Sequence, residues 1–182
     1  MTEAGRWRVR QEEVVDNTHR IQLSIAKLTL PDGHNSEQYV LRCPPAAMVL
    51  ATNEYGQVLL LWRHRFVIDR WGWELPGGYV GPDEDSQSAA ERELIEETGW
   101  RAGRLERLVT YQPMTGMVDH ECAVFLAEDV AQVSDKRDVN ESAAQSWISL
   151  TEAVGMIGTG EIVGAGSVAG ILALQVRRLT GS

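Results

Sequence analysis

Length, composition and charge exclude several classes of protein. The chain has 182 residues, of which 43% are apolar, and a formal net charge of −9; these values fit one domain with a small appendage. The negative charge disfavours nucleic acid or anionic membranes as partners, and with no run of about 18 apolar residues we expect no transmembrane helix. The N-terminus lacks an apolar signal core, and Cys43 and Cys122 stand apart, so we expect a cytoplasmic protein without disulfides or a zinc site.

The first 43 residues have the pattern of a small β-sheet. Alternation of apolar and polar residues is clearest at Ile21, Leu23 and Ile25, and Pro31-Asp32-Gly33 is a turn signal. We predict strands at residues 7–15, 19–30 and 37–42. Because three strands bury little apolar surface, we expect this antiparallel unit, residues 1–43, to pack on something else, such as a second subunit.

Pro44-Pro45 marks a joint, after which residues 44–182 have the element order of an α/β domain. Unbroken apolar runs predict strands buried on both faces. We expect strands at 46–51, 57–62, 104–111, 121–127 and 147–150, a polar loop at 128–140, and helices from Thr151 and over 167–179. The last helix should pack through Val168, Ile171, Leu172 and Leu179. This order favours a mixed sheet with helices on both faces.

Residues 77–100 combine a Gly/Pro turn with a short helix that Asp85 or Ser86 can cap and Gly99 can end. Glu93 and Glu97 are four residues apart, with Glu96 between them, so like charges crowd one stripe of this helix. Two interpretations are open. The stripe is either a solvated acidic surface or a site where a hard divalent cation offsets the repulsion.

The spacing favours the cation site. The segment fits G-x5-E-x7-R-E-U-x-E-E-x-G-U, where U is a bulky apolar residue, and seven strict letters at roughly 6% usage each give a chance match on the order of 10⁻⁹ per start. The matching positions are Gly78, Glu84, Arg92, Glu93, Leu94, Glu96, Glu97 and Gly99. Trp100 departs from the pattern, because an aliphatic residue is usual there. The segment is the Nudix box, and the chain resembles a Nudix hydrolase.

That resemblance implies an α/β fold, the Nudix α/β/α sandwich with a mixed sheet, and an activity. Nudix hydrolases cleave a nucleoside diphosphate linked to another group, using Mg²⁺ or Mn²⁺ held by the box helix. The resemblance makes Glu93 and Glu97 the principal metal ligands and Glu96 a further ligand, direct or through water. It also assigns the carbonyl of Gly77 as a backbone ligand and Glu84 as a supporting acid.

The resemblance also indicates three catalytic residues, Arg92, Glu96 and Glu141. Arg92 corresponds to the arginine that orients the carboxylates, and Glu96 belongs to the box. The general base of related enzymes is a Glu on a loop before a late strand, and Glu141 is similarly placed. The alternative is that Glu141 is a solvated loop carboxylate.

The wider sequence resembles the bacterial ADP-ribose pyrophosphatases of this family. The likeness lies in the N-terminal strands, in Arg63-His64-Arg65 followed by Trp73–Gly78, and in Gly160–Val163. It implies a homodimer that exchanges the N-terminal strands, and a set of substrate-binding residues. Those residues are Arg63, Arg65, Trp71, Trp73, Glu74, Thr115 and Gly116. Two plainer alternatives stay open: the arginines balance an acidic surface, and the tryptophans belong to the core.

One loop departs from this subgroup. Thr115 stands where the subgroup has a Pro about 15 residues past the box; Pro113 comes two residues early, and His120 replaces a Glu. The leading hypothesis is hydrolysis of a nucleoside diphosphate sugar, with ADP-ribose giving AMP and ribose 5-phosphate. Other nucleoside diphosphate sugars, dinucleotides and a non-catalytic nucleotide sensor are the alternatives, and the charge disfavours RNA processing.

Overall fold

A computed structural model describes residues 5–135 and 142–181. Within these ranges the chain forms thirteen strands and three helices. The strands are β1 Arg8–Asp16, β2 Gln22–Thr29, β3 Asn35–Arg42, β4 Ala46–Ala51, β5 Gln57–Arg65, β6 Arg70–Glu74, β7 Gly77–Tyr79, β8 Trp100–Arg101, β9 Arg104–Tyr111, β10 Val118–Asp119, β11 Cys122–Glu128, β12 Ala131–Gln132 and β13 Ala144–Ser149. The helices are α1 Ser86–Thr98, α2 Leu150–Thr159 and α3 Ala165–Thr180.

The first compact unit comprises the chain up to Pro44 together with Gln112–His120. Its sheet has the order β1-β2-β3-β10, with β1, β2 and β3 antiparallel and β10 parallel to β3. Arg42 ties this sheet together, because its guanidinium contacts Glu12 at 2.6 Å and Asp119 at 2.9 Å. The three long strands lie where the alternation predicts them, whereas the two-residue β10 is too short to have a periodic signal.

The second unit comprises Pro45–Tyr111 and the residues from Glu121 onwards. One sheet has the order β7-β4-β11-β9, in which β4 and β11 run parallel and the other pairs antiparallel. A second sheet has the antiparallel order β13-β5-β6. The expected mixed sheet is therefore confirmed, with short strands at β7, β8 and β12 that sequence patterns did not indicate.

Side chains of β4 alternate between two helical layers. Ala47 and Val49 pack in one core cluster with Leu94 of α1. Leu50 packs in the other cluster with Met156 of α2 and Ile171 of α3. The sheet is therefore covered on both faces, and the α/β/α sandwich is confirmed.

Helix α1 begins and ends where its sequence predicts. The Asp85 side chain caps the helix by accepting the backbone N–H of Ser88 at 2.7 Å, and Gly99 ends it in the left-handed conformation with φ 75°. Ala90 and Leu94 are fully buried against the sheet. Trp100, the departure from the box pattern, packs edge-on against Trp147 at a ring-centroid distance of 5.2 Å.

The packed face of α3 differs from the expected one. Leu172 and Leu179 are 42% and 75% exposed, so their assignment to the buried stripe was wrong. Ile171 is fully buried and Val168 packs against the core, as predicted, and the buried stripe also includes Gly170 and Leu174. A Cβ at Gly170 would lie 2.9 Å from the side chain of Val124, so a glycine allows the helix to approach the sheet closely. Among the described residues, no helix is both long and apolar enough to cross a membrane.

The buried face of α1 can be tested by removing Leu94. Leu94→Ala leaves a cavity against the sheet and should lower the free energy of unfolding by about 2–5 kcal/mol. Leu179→Ala removes the same atoms from an exposed position and should change it by less than about 0.5 kcal/mol. Urea denaturation measures both, and equal losses would contradict the described orientation of the helices.

Candidate active site

Two carboxylates of α1 converge on Gly77 and Gly78, which the sequence placed in a turn and which form the start of the short strand β7. The backbone N–H of Gly77 donates to Oε2 of Glu97 at 2.8 Å. A Cβ placed on Gly78 would overlap the carboxylate of Glu93, and one on Gly77 would overlap the Ala47 carbonyl. Both glycines are therefore needed for close approach, and Gly77 also has a φ of +152°. The Gly-Gly turn brings Glu93 and Glu97 to the same short stretch of backbone.

Arg92 joins three acids around this turn. Its Nη1 atom donates to Glu93 at 2.8 Å and to Glu96 at 3.0 Å, and its Nη2 atom donates to Glu84 at 2.7 Å. Nη2 also reaches the Tyr79 carbonyl at 3.3 Å. The guanidinium offsets the repulsion between carboxylates that share a helix face.

Arg92 also affects the pKa of Glu84. The hydrogen bond from Arg92, followed by the backbone N–H of Gly81, holds the pKa of the Glu84 carboxyl below its ordinary value. The same hydrogen bond from the Glu84 carboxylate raises the pKa of Arg92 above its ordinary value. Both groups are therefore charged at neutral pH, as an ion pair at this loop requires.

A second guanidinium reaches Glu97 from β5. Arg63 Nη2 lies 2.5 Å from Glu97 Oε1, and the two side chains are only 5% and 3% exposed. The sequence patterns did not predict this contact, and the resemblance to ADP-ribose pyrophosphatases assigned Arg63 to substrate binding. A signal was present: Leu59 and Leu61 are buried on β5, and Arg63 continues that series at a period of two. A buried arginine at that position needs a buried acid.

The hairpin of β5 and β6 separates the other predicted substrate residues onto two faces. Cross-strand pairs join Trp62 to Trp73 and His64 to Trp71. Trp62 and Trp71 are stacked at 5.8 Å, and Trp71 is 47% exposed. Arg63 lies between Trp62 and His64 on β5, so its side chain points to the opposite face of the hairpin. The aromatic surface and the charged surface are therefore distinct.

Arg65 and Glu74 occupy the charged face as a pair. Arg65 donates to both carboxylate oxygens of Glu74, at 2.5–3.0 Å. The Arg65 side chain is 52% exposed, whereas that of Glu74 is 15% exposed. A carboxylate thus holds a planar, half-exposed guanidinium in a fixed direction.

The remaining predicted residues belong to the first compact unit or fall beyond the described residues. Thr115 and Gly116 belong to the unit of the N-terminal strands, where the Gln38 side chain donates to the Gly116 carbonyl. In the same unit, His120 hydrogen-bonds the Pro44 carbonyl through Nδ1 at 2.6 Å. Glu141 lies outside the described residues.

A divalent cation fits the donors of the box. In the described part of the chain, no three His, Cys, Asp or Glu side chains already converge as a metal site. The donor set of Glu93, Glu96 and Glu97 is nevertheless all oxygen, which suits Mg²⁺ or Mn²⁺. Arg92 contacts one oxygen of Glu93, and Arg63 contacts one oxygen of Glu97. Each carboxylate has further lone pairs that can bind an additional ligand.

Comparison with known proteins agrees with this geometry. An acidic helix after a Gly-Gly turn in an α/β/α sandwich defines a hydrolase of the Nudix type. The family model described as the NUDIX domain matches residues 43–165, most of the chain. The chain therefore belongs to the NUDIX family and is a Nudix hydrolase.

Two relatives in sequence and one solved structure are similar to this chain. The CMP-5'-(N-acetyl-N-hydroxy-3-aminopropyl)phosphonate hydrolase of Streptomyces rubellomurinus is 40% identical over 93% of this chain and 82% of its own length. The ADP-ribose pyrophosphatase of Bacillus subtilis is 28% identical over 86% of each chain. The crystal structure of an ADP compounds hydrolase superposes with a TM-score of 0.85 at 18% identity, covering 100% of this chain and 98% of that chain. The structure supports the fold alone, and the sequences confirm the resemblance to ADP-ribose pyrophosphatases.

The contact between Arg92 and Glu84 predicts a pH-dependent effect. Because the folded-state pKa of Glu84 is lowered, the pair adds stability above the ordinary pKa and loses it as the pH falls through the lowered pKa. Arg92→Gln should therefore raise the pKa of Glu84 towards its ordinary value, measured by NMR titration of the carboxyl carbon without metal.

Asp85 provides an internal control in the same experiment. The pKa of Asp85 is also lowered, but chiefly by the Ser88 backbone N–H, so it should stay unchanged in Arg92→Gln. A Glu84 pKa that stays low in the variant would contradict the described contact.

Proposed function

We propose that the chain hydrolyses the pyrophosphate bond of a nucleoside diphosphate sugar with Mg²⁺ or Mn²⁺ as cofactor. ADP-ribose is the leading substrate: ADP-ribose + H₂O → AMP + ribose 5-phosphate. The observation that supports this most is the approach of Glu93 and Glu97 to the Gly77-Gly78 turn, beside an arginine-rich strand. The likeness to ADP-ribose pyrophosphatases supports the substrate class.

The box would hold the metal. Glu93 and Glu97 are the principal ligands, Glu96 is a further ligand, the Gly77 carbonyl adds a backbone oxygen, and Glu84 supports the site. A bound divalent cation would screen the diphosphate charge and make a bound water more acidic. Arg92 joins Glu93 and Glu96 of the helix to Glu84 of the preceding loop.

Other residues would hold the substrate and take the proton. Arg65 presents a half-exposed planar guanidinium, which suits a phosphate through paired hydrogen bonds. Trp71 has an exposed aromatic ring on the opposite face of the hairpin, so it would hold the base only of a nucleotide that extends around the edge strand β6. Water adds its oxygen to phosphorus, the bridging P–O bond breaks, and the proton of the water passes to a base, which we assign to Glu141.

A second substrate class is favoured by one comparison. The relative at 40% identity is described as hydrolysing a CMP-linked phosphonate. A cytidine monophosphate joined to a phosphonate contains the same type of P–O–P bridge, and its hydrolysis would release CMP. The departure at Thr115 from the ADP-ribose subgroup is compatible with such a substrate, as with other nucleoside diphosphate sugars or dinucleotides.

We also propose that the protein is located in the cytoplasm. The two cysteines, both in its described part, are not joined by a disulfide, as a reducing compartment favours. Cell fractionation tests this location, and recovery of the protein in an oxidising compartment would contradict it.

A homodimer through the N-terminal strands completes the proposal. Strand β1 is an edge strand in which eight of nine residues are exposed, including Val9, Val14 and Val15. An exposed, partly apolar edge strand is a natural pairing surface. Light scattering should therefore give the mass of two chains, and replacing Val14 and Val15 by Lys should shift it towards one chain. A single-chain mass for the unaltered protein would contradict the dimer.

A substrate panel tests the reaction. ADP-ribose, other nucleoside diphosphate sugars, a dinucleotide and a CMP-linked phosphonate are incubated with Mg²⁺ or Mn²⁺, and the products are identified. We expect AMP and ribose 5-phosphate from ADP-ribose. Glu97→Gln should lower kcat/KM by about 10²-fold or more, because metal-ion stabilisation amounts to several kcal/mol.

Two further variants sharpen the result. Glu91→Gln removes an exposed charge on the same helix and should leave the rate unchanged. Glu141→Gln should lower kcat by about 10²-fold or more if Glu141 is the base; full kcat would end that assignment. Absence of cleavage of every panel member with both metal ions would contradict the proposed function.

A further inference from the structure

The ion pair between Arg63 and Glu97 is unusual among the charged contacts of the box. Its atoms lie 2.5 Å apart, and both side chains are at least nine-tenths buried. By contrast, Arg92 is 36% exposed, and its partners Glu84 and Glu96 are 20% and 58% exposed. Water can therefore screen the charges around Arg92 much better than the charge on Glu97.

A buried carboxylate requires a compensating charge. Removing a carboxylate from water costs several kcal/mol even after relaxation, and removing one partner of a buried pair strongly destabilises a protein. Glu97 is held at both oxygens, by Arg63 at Oε1 and by the Gly77 N–H at Oε2. These two contacts fix the direction of the Glu97 carboxylate towards Gly77.

We propose that Arg63 is a positioning residue for Glu97: a counter-ion that offsets the charge of the buried carboxylate and aims it before a metal binds, and that competes with the metal afterwards. This inference rests on the proposed function only in that Glu97 is taken as a metal ligand. Arg63 then has no direct contact with substrate and acts through Glu97. The exposed Arg65, two residues along the same strand, is left to contact the diphosphate.

Competition follows from elementary electrostatics. A metal ion and a guanidinium that share one carboxylate repel each other, and a buried position screens that repulsion weakly. The site therefore binds a bare ion less tightly than it would without Arg63. A pyrophosphate bound with the ion would offset the excess positive charge, so Arg63 favours joint binding of metal and substrate.

The first test uses metal-free protein and no substrate. Arg63→Gln should lower Tm by roughly 10 °C or more, because it leaves a buried charge without its partner. The double variant Arg63→Gln/Glu97→Gln should recover at least half of this loss, because the buried charge is gone. Arg65→Gln, which breaks a pair whose arginine is half-exposed, is the matched control and should lower Tm much less than Arg63→Gln does.

The second test measures Mn²⁺ binding without turnover. Mn²⁺ should raise the Tm of Arg63→Gln more than that of the unaltered chain, and calorimetry should give about tenfold tighter Mn²⁺ binding, because a repelling charge has been removed. Arg63→Lys keeps the charge and should bind Mn²⁺ like the unaltered chain. A residue with only a packing role would leave the Mn²⁺ affinity unchanged.

The following outcomes would contradict or support the role of Arg63. The proposal would be overturned if the double variant lost as much Tm as Arg63→Gln and Glu97→Gln together. It would also be overturned if Arg63→Gln bound Mn²⁺ no more tightly than the unaltered chain. If Arg63→Gln does not fold, folding of the double variant supports the pair and its failure overturns it. Neither test depends on catalysis. If the Tm and Mn²⁺ results come out as expected but no substrate is cleaved, the proposed function is refuted and this inference stands.

Discussion

Repulsion between the carboxylates of α1 is the constraint on which the rest of the site depends. Glu93, Glu96 and Glu97 share one helix, and two arginines from different parts of the fold offset their charge. Arg92 lies on the helix itself, whereas Arg63 reaches Glu97 from β5. The chain thereby holds a dense patch of negative charge beside Gly77 and Gly78.

The architecture positions this patch. Strand β4 packs α1 on one face and α2 with α3 on the other, so the helix that bears the acids rests on a fully packed sheet. Strand β7, which contains Gly77 and Gly78, pairs with β4 and lies beside the helix. The glycines allow contacts that any side chain would prevent. A rigid sheet, a capped helix and a side-chain-free turn together fix the directions of the carboxylates.

Much of this could be predicted from the sequence, because its signals are local. The caps of α1, the strands β4 and β9 and the residues of the box follow from periodicity, turn chemistry and spacing. The rest depends on contacts between distant segments. The partner of Arg63 could not be known without the packing of β5 against α1. The inclusion of Gly170 beside Ile171 and Leu174 in the packed face of α3 depends on the close approach of the helix to Val124. Two-residue strands such as β10 and β12 have no periodicity to detect.

The central claim is that the ridge of acids beside the glycine turn binds divalent ions together with a diphosphate. Anomalous scattering from a crystal soaked with Mn²⁺ and a non-hydrolysable nucleoside diphosphate sugar tests it most directly. The expected result is a manganese peak within bonding distance of Glu93 and Glu97 oxygens and next to the diphosphate. A diphosphate bound with no peak there, and with the carboxylates still held by Arg92 and Arg63, would contradict the claim.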